Sequence, residues 1–137
     1  MKDFKGSSFR GFEKGNLENE VDEARLKKIL SGDARELNDY ANELSQRYLS
    51  GKESEKLSTS QIRSVLDEIQ RMREFDETRL QLLRPKLAYA AGRHGGKVRD
   101  FQRLVDTAIR MTNAQNYKFF KCFVEAIVAY HRYHGGK

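Results

Sequence analysis

Three groups of residues in this 137-residue chain have types and spacings that invite chemistry. Gly92-Arg93-His94-Gly95-Gly96-Lys97 suggests a phosphate-cradling loop. The span from Gly92 to Gly96 is one residue short of that motif, Val98 stands where Ser or Thr is needed, and no strand precedes it, so the match is a chance one. His131 and His134, with Glu125 a turn or two earlier, suggest a metal site. A metal needs converging ligands, and two histidines at a fraying helix end fall short of that, so no metal is expected. Cys122 could pair with a histidine as a thiolate. Its neighbours Phe119, Phe120 and Phe123 instead predict a small, buried, inert thiol, and a single cysteine rules out an intramolecular disulfide. Glu125, the lone acid of its segment, reads as a buried partner for an arginine from mid-chain. No Ser/His/Asp arrangement appears in any local pattern. The residues predict neither an enzyme nor a cofactor.

The cations remain. The net charge is +6, with residues 1–57 at −1 and residues 58–137 at +7. Such asymmetry suggests a polyanion, nucleic acid first and an anionic membrane second. A basic surface with no partner stays open beside it. Arg63, Arg71, Arg84, Lys86, Arg93, Lys97 and Arg99 cluster in and just after the stretch 57–96. Arginine forks suit phosphates, and phosphate contacts give affinity without sequence preference. As a cluster they predict phosphate binding; any single arginine has a solvated helix face as its alternative. Tyr89 could stack on a base or ribose, or belong to the core.

These residues must be positioned by helices. One proline in the whole chain disfavours an all-β fold, and apolar residues recur at helical spacing nearly throughout. The expectation is an all-α bundle of about five to six helices. Residues 1–16, with Gly6, Gly11 and Gly15, read as a flexible arm, and residues 17–137 as a single helical domain. In the arm, Phe4, Phe9 and Phe12 alternate with Lys2, Lys5, Arg10 and Lys14. That mixture could touch single-stranded nucleic acid, although a tail without a partner is the simpler reading. No apolar run approaches the ~18 residues of a membrane span, and the first residues lack the apolar core of a signal peptide. Both point to the cytoplasm.

In order, a first helix is expected over Leu17–Leu30, with Val21, Ala24 and Ile29 inward. Asp33 caps a second, striped by Leu37, Tyr40, Ala41, Leu44 and Tyr48. Ser58 and Gln61 form a capping box, with Leu57 and Ile62 as its hydrophobic staple. That helix should end between Phe75 and Thr78. Pro85 then suits the first turn of a new short helix, and Gly92 the left-handed position past its end. Arg84 and Lys86 would crowd that helix's N-terminus, against its dipole, which favours an anionic partner. Val98, Phe101, Leu104, Val105, Ala108 and Ile109 mark a further helix. A last one, about Asn116 to Tyr133, carries a broad apolar face that is either the centre of the core or partly an oligomer contact. His134-Gly135-Gly136-Lys137 reads as a mobile basic tail.

Leu57-Ser58-Thr59-Ser60-Gln61-Ile62-Arg63, Leu83-Arg84-Pro85-Lys86-Leu87-Ala88-Tyr89-Ala90-Ala91-Gly92-Arg93 and Phe123-Val124-Glu125-Ala126-Ile127-Val128-Ala129-Tyr130 resemble, in that order, the small helical subunit of type III-A CRISPR (Csm) effector complexes. The terminal Tyr133-His134-Gly135-Gly136-Lys137 also resembles that family's end. The resemblance implies a non-catalytic structural subunit that stacks with copies of itself beside the backbone subunits. Its basic surface would line the groove that holds the guide RNA–target RNA duplex. Target cleavage would belong to the backbone subunit, and DNase and cyclic-oligonucleotide synthesis to the large subunit. Arg63, Arg84 and Arg93 lie in the matching motifs. Together with Lys86, Lys97 and Arg99 they are the expected RNA-binding residues. A helical adaptor that joins protein subunits without touching RNA is the alternative.

Overall fold

Six α-helices and one short 3-10 turn follow one another in the computed structural model, which describes residues 21–137. No strand occurs among the described residues, so the all-α expectation holds. The arm expected over residues 1–16 lies outside them.

Helix α1, Glu23–Leu30, is capped by Asp22, whose carboxylate accepts the Arg25 N–H. The expected start at Leu17 is corrected: Asp22 is extended, and residues 17–20 lie outside the described range. Leu26, Ile29 and Leu30 are buried, Val21 is half-buried, and Ala24, expected inside, is exposed. Helix α2, Ala34–Tyr48, starts at its Asp33 cap and buries its whole expected stripe. Helix α3, Thr59–Arg71, carries both bonds of the capping box, Ser58 N–H to Gln61 Oε1 at 2.9 Å and Gln61 N–H to Ser58 Oγ at 3.2 Å. Leu57 and Ile62 are buried against its start, as a staple requires.

Helix α3 stops at Arg71, before the expected Phe75–Thr78. Its last carbonyls find another donor: the Tyr117 hydroxyl lies 3.2 Å from Ile69 O and 2.6 Å from Met72 O. Orphan helix-end carbonyls need such a partner, and here a phenol replaces the next turn. Burial pushes the Tyr117 hydroxyl up to about 12 from 10.0. Its folded value exceeds its unfolded one, so its stabilisation is complete below pH 10 and is lost as pH rises towards 12. Stability measured by urea melts from pH 9 to 12 should fall, and Tyr117→Phe should flatten part of that fall.

Helix α4 corrects the largest expectation. It is one helix, Glu77–His94, capped by Asp76, with Pro85 inside it rather than opening a new one. Pro85 is exposed and lacks only the bond to the Gln81 carbonyl, which water can satisfy on an outer face. Gly92 is helical; the left-handed residues are Gly95 and Gly96, with φ of 66° and 58°. Arg84 and Lys86 therefore sit mid-helix, and the dipole argument at a helix start does not apply to them. Helix α5, Lys97–Arg110, buries all six expected residues. Gly96 passes so close to the Glu53–Glu55 turn that a Cβ would stand 2.8 Å from Glu55 O.

Helix α6, Tyr117–Tyr133, is the centre of the core. It packs most extensively on α2, then on α3 and α1, while α4 leans chiefly on α5. Phe120, Phe123, Val124 and Ile127 are buried, and Phe119 and Tyr130 are half-buried. Two expectations fail on its outer face. Cys122 is exposed, and Glu125 is exposed and, among the described residues, accepts from Gln70 Nε2 at 3.4 Å.

The expected mobile tail is instead a strap. The buried His131 ring donates from Nε2 to Leu57 O at 2.7 Å, and Gly136 N–H returns to His131 O. Lys137 O then accepts the Thr59 N–H at 3.0 Å, satisfying a free donor of α3's first turn. A Cβ on Gly136 would stand 2.1 Å from the His131 ring. Gly136→Ala should therefore displace the strap and cost about 1–3 kcal/mol in a denaturation melt.

Candidate nucleic-acid interface

Helical geometry divides the six expected RNA-binding residues among three helices. Arg63 lies on α3, Arg84, Lys86 and Arg93 on α4, and Lys97 and Arg99 on α5. On α4, Leu82, Lys86, Tyr89 and Arg93 recur at i, i+4, i+7 and i+11, so they share one face. That face is a solvent-facing crest: Tyr89 is 71% exposed and Leu82 59%. The position of Tyr89, open from sequence, is thus outside the core. The buried residues Leu80, Leu83, Leu87 and Ala91 occupy the opposite side.

Arg84 faces elsewhere. Its Nε donates to Asp106 Oδ1 on α5 at 2.6 Å, and its Nη1 to Gln81 Oε1 at 3.0 Å. The carboxylate beside it raises the guanidinium's pKa further above its usual value. Arg84 thus clamps α4 to α5. Lys97 lies 3.9 Å from Asp100, which also takes Arg103 at 3.0 Å. Lys86 reaches across to Glu68 on α3 at 3.7 Å, and Glu68 is itself held by Arg71 at 2.8 Å. Arg63, Arg93 and Arg99 are exposed and make no ion pair among the described residues. Of the six, the cations readiest for an outside anion are these three, with Lys86 beside Arg93 on the crest.

The groups considered for metal and thiol chemistry do not converge. His131 looks to Leu57 O and His134 to Asn42 Oδ1, 2.6 Å away. Among the described residues no three His, Cys, Asp or Glu side chains could jointly hold a metal. Also among them, no helix is long and apolar enough to cross a membrane.

Helices α2 to α6, the Ser58/Gln61 start and the basic middle all fall within residues 31–137, where the family model described as Csm2 Type III-A matches. The chain belongs to the Csm2 family. It is therefore a small subunit of a type III-A CRISPR effector complex, with other Csm subunits as partners. The Csm2 match runs from the residue after α1 to Lys137 and includes all six expected RNA-binding residues. No curated protein and no solved structure matches the chain.

What sequence reasoning missed lies beside the crest. The α3 residues Ser60, Gln61 and Ser64 line a groove against α4, whose last residue, His94, also lines it. The capping signal accounted for Gln61 and masked any second use, and nothing local marks Ser60 or Ser64.

Proposed function

We propose that this Csm2 family member is a non-catalytic, RNA-contacting structural subunit in the cytoplasm. It lines the groove that holds the guide RNA–target RNA duplex and stacks with copies of itself. The crest of α4 carries the reading: Lys86 and Arg93 flank the exposed Tyr89 on one helix face. Cations on one helix face can meet phosphates of one strand, while an exposed ring offers a stacking surface to any base. Arg63 and Arg99 extend the contact from the neighbouring helices, and Arg84 and Lys97 support it from beside their carboxylate partners.

The test is binding of labelled single-stranded RNA and RNA duplex across a salt series, with the chain alone and in the assembled complex. A steep loss of affinity with salt supports the reading. Absence of binding at low salt in both forms overturns it. That outcome favours a helical adaptor between protein subunits, a reading to which the internal pairing of Arg84 and Lys97 lends weight.

A further inference from the structure

A groove of about 400 Å³ runs between α3 and α4, closed below by α5. Its floor is apolar, built from Val65, Leu83, Leu87, Val98 and Phe101. Its α3 wall is polar, with Ser60, Gln61 and Ser64, and its mouth carries Lys86, His94 and Glu68. The size falls within the roughly 300–1,000 Å³ of small-molecule sites.

Three features of the groove select its occupant. The floor suits the faces of a flat ring. The wall has unspent hydrogen-bonding capacity: Gln61 Oε1 is held by Ser58 N–H, which leaves the amide NH2 to donate, and Ser64 Oγ donates to Gln61 O, which leaves its lone pairs to accept. The mouth is net cationic, because its one carboxylate, Glu68, is shared by Lys86 and Arg71, and Arg93 stands two turns along the same crest. An apolar side chain from a protein partner would use the floor but desolvate the wall and the mouth without pairing them.

We propose that this groove receives one unpaired nucleobase of an RNA strand, with the flanking phosphates on Lys86 and Arg93. The inference rests on the RNA-contact reading above and deepens it, turning a charged surface into a site that senses a base without reading a sequence.

The test compares an oligoadenylate strand with an abasic sugar–phosphate strand of equal length and charge, for the chain alone and in the assembled complex. Intact RNA should bind at least about fivefold more tightly. Ala90→Phe, which fills the groove from α4, and Ser64→Tyr, which fills it from α3, should each cut that ratio sharply, to what stacking on Tyr89 alone supplies. Either variant that keeps its helical circular dichroism serves. Tyr89→Ala separates stacking on the crest from insertion, and should leave a clear preference for intact RNA. Equal binding of both strands by the unaltered chain overturns the groove site and spares the RNA reading. So does an undiminished ratio in the filled variants, including the case in which they lose only their place among the protein subunits. Binding of neither strand overturns both.

Discussion

Replacing Lys86 and Arg93 together by glutamate is expected to weaken RNA capture by roughly one to two orders of magnitude at low salt. The pair lies one turn either side of Tyr89, and reversal turns two attractions into two repulsions. It should also flatten the salt dependence, since each single-strand phosphate contact contributes about 0.7 to the slope. Lys86→Gln with Arg93→Gln should show about half the loss on a logarithmic scale, without setting a new carboxylate beside Glu68. Helix α4 should survive, because both side chains are exposed and Leu80, Leu83, Leu87 and Ala91 hold the buried side. Arg84 is the wrong residue to reverse. A carboxylate there would face Asp106, and any loss of RNA would be mixed with loosening of α4 from α5. Arg84→Ala should lower the melting temperature where Arg93→Ala does not. Unchanged RNA affinity in the doubly reversed variant would remove the crest from the interface.

Phe123→Ala is expected to cost about 3–5 kcal/mol, much of the 5–15 kcal/mol that holds a typical domain together. Phe123 is 1% exposed, and its ring stacks on Tyr40 of α2 with centroids 5.9 Å apart. It stands where α6 meets α2, the most extensive helix contact of the fold. Truncation leaves a cavity between two stiff helices that cannot close over it. Its chain neighbour is the control. Cys122 is exposed, so Cys122→Ala should fall within about 0.5 kcal/mol of no change. Urea unfolding of the two variants reads the rotation of α6 directly, and equal costs would mean the helix is turned differently.

That rotation was hard to read because α6 is apolar almost all round. In Phe119-Phe120-Lys121-Cys122-Phe123-Val124-Glu125-Ala126-Ile127-Val128 a polar residue rarely marks the outer side, so Cys122 and Glu125 take their sides from α2 and α3. Helices with a clear polar side were legible: the stripes of α2 and α5 and the Ser58 box lie where local pattern puts them. Helix α4 was misread because Pro85 and Gly92 are strong local punctuation, whereas Asp76, which starts the helix, is a weaker mark. The candidate site changed as a result. In one continuous helix, Arg84 and Lys86 stand two residues apart and point to different sides, one to Asp106 and the other to the crest. The strap left no periodic signal, since two glycines can serve close packing as readily as freedom.

The strap also sets an order of events during synthesis. The Thr59 N–H at the head of α3 is answered by the carbonyl of Lys137, which leaves the ribosome only after α4, α5 and α6 have been made. At about 5–20 residues per second, that donor and the Leu57 carbonyl wait several seconds for their partners. The capping box, by contrast, is complete within four residues and can form at once. A nascent chain paused before His131 would hold α3 started but unlatched, with the Leu57 carbonyl open to water. A ribosome-stalled series with increasing chain length should gain an increment of protease resistance when residues 131–137 clear the exit tunnel.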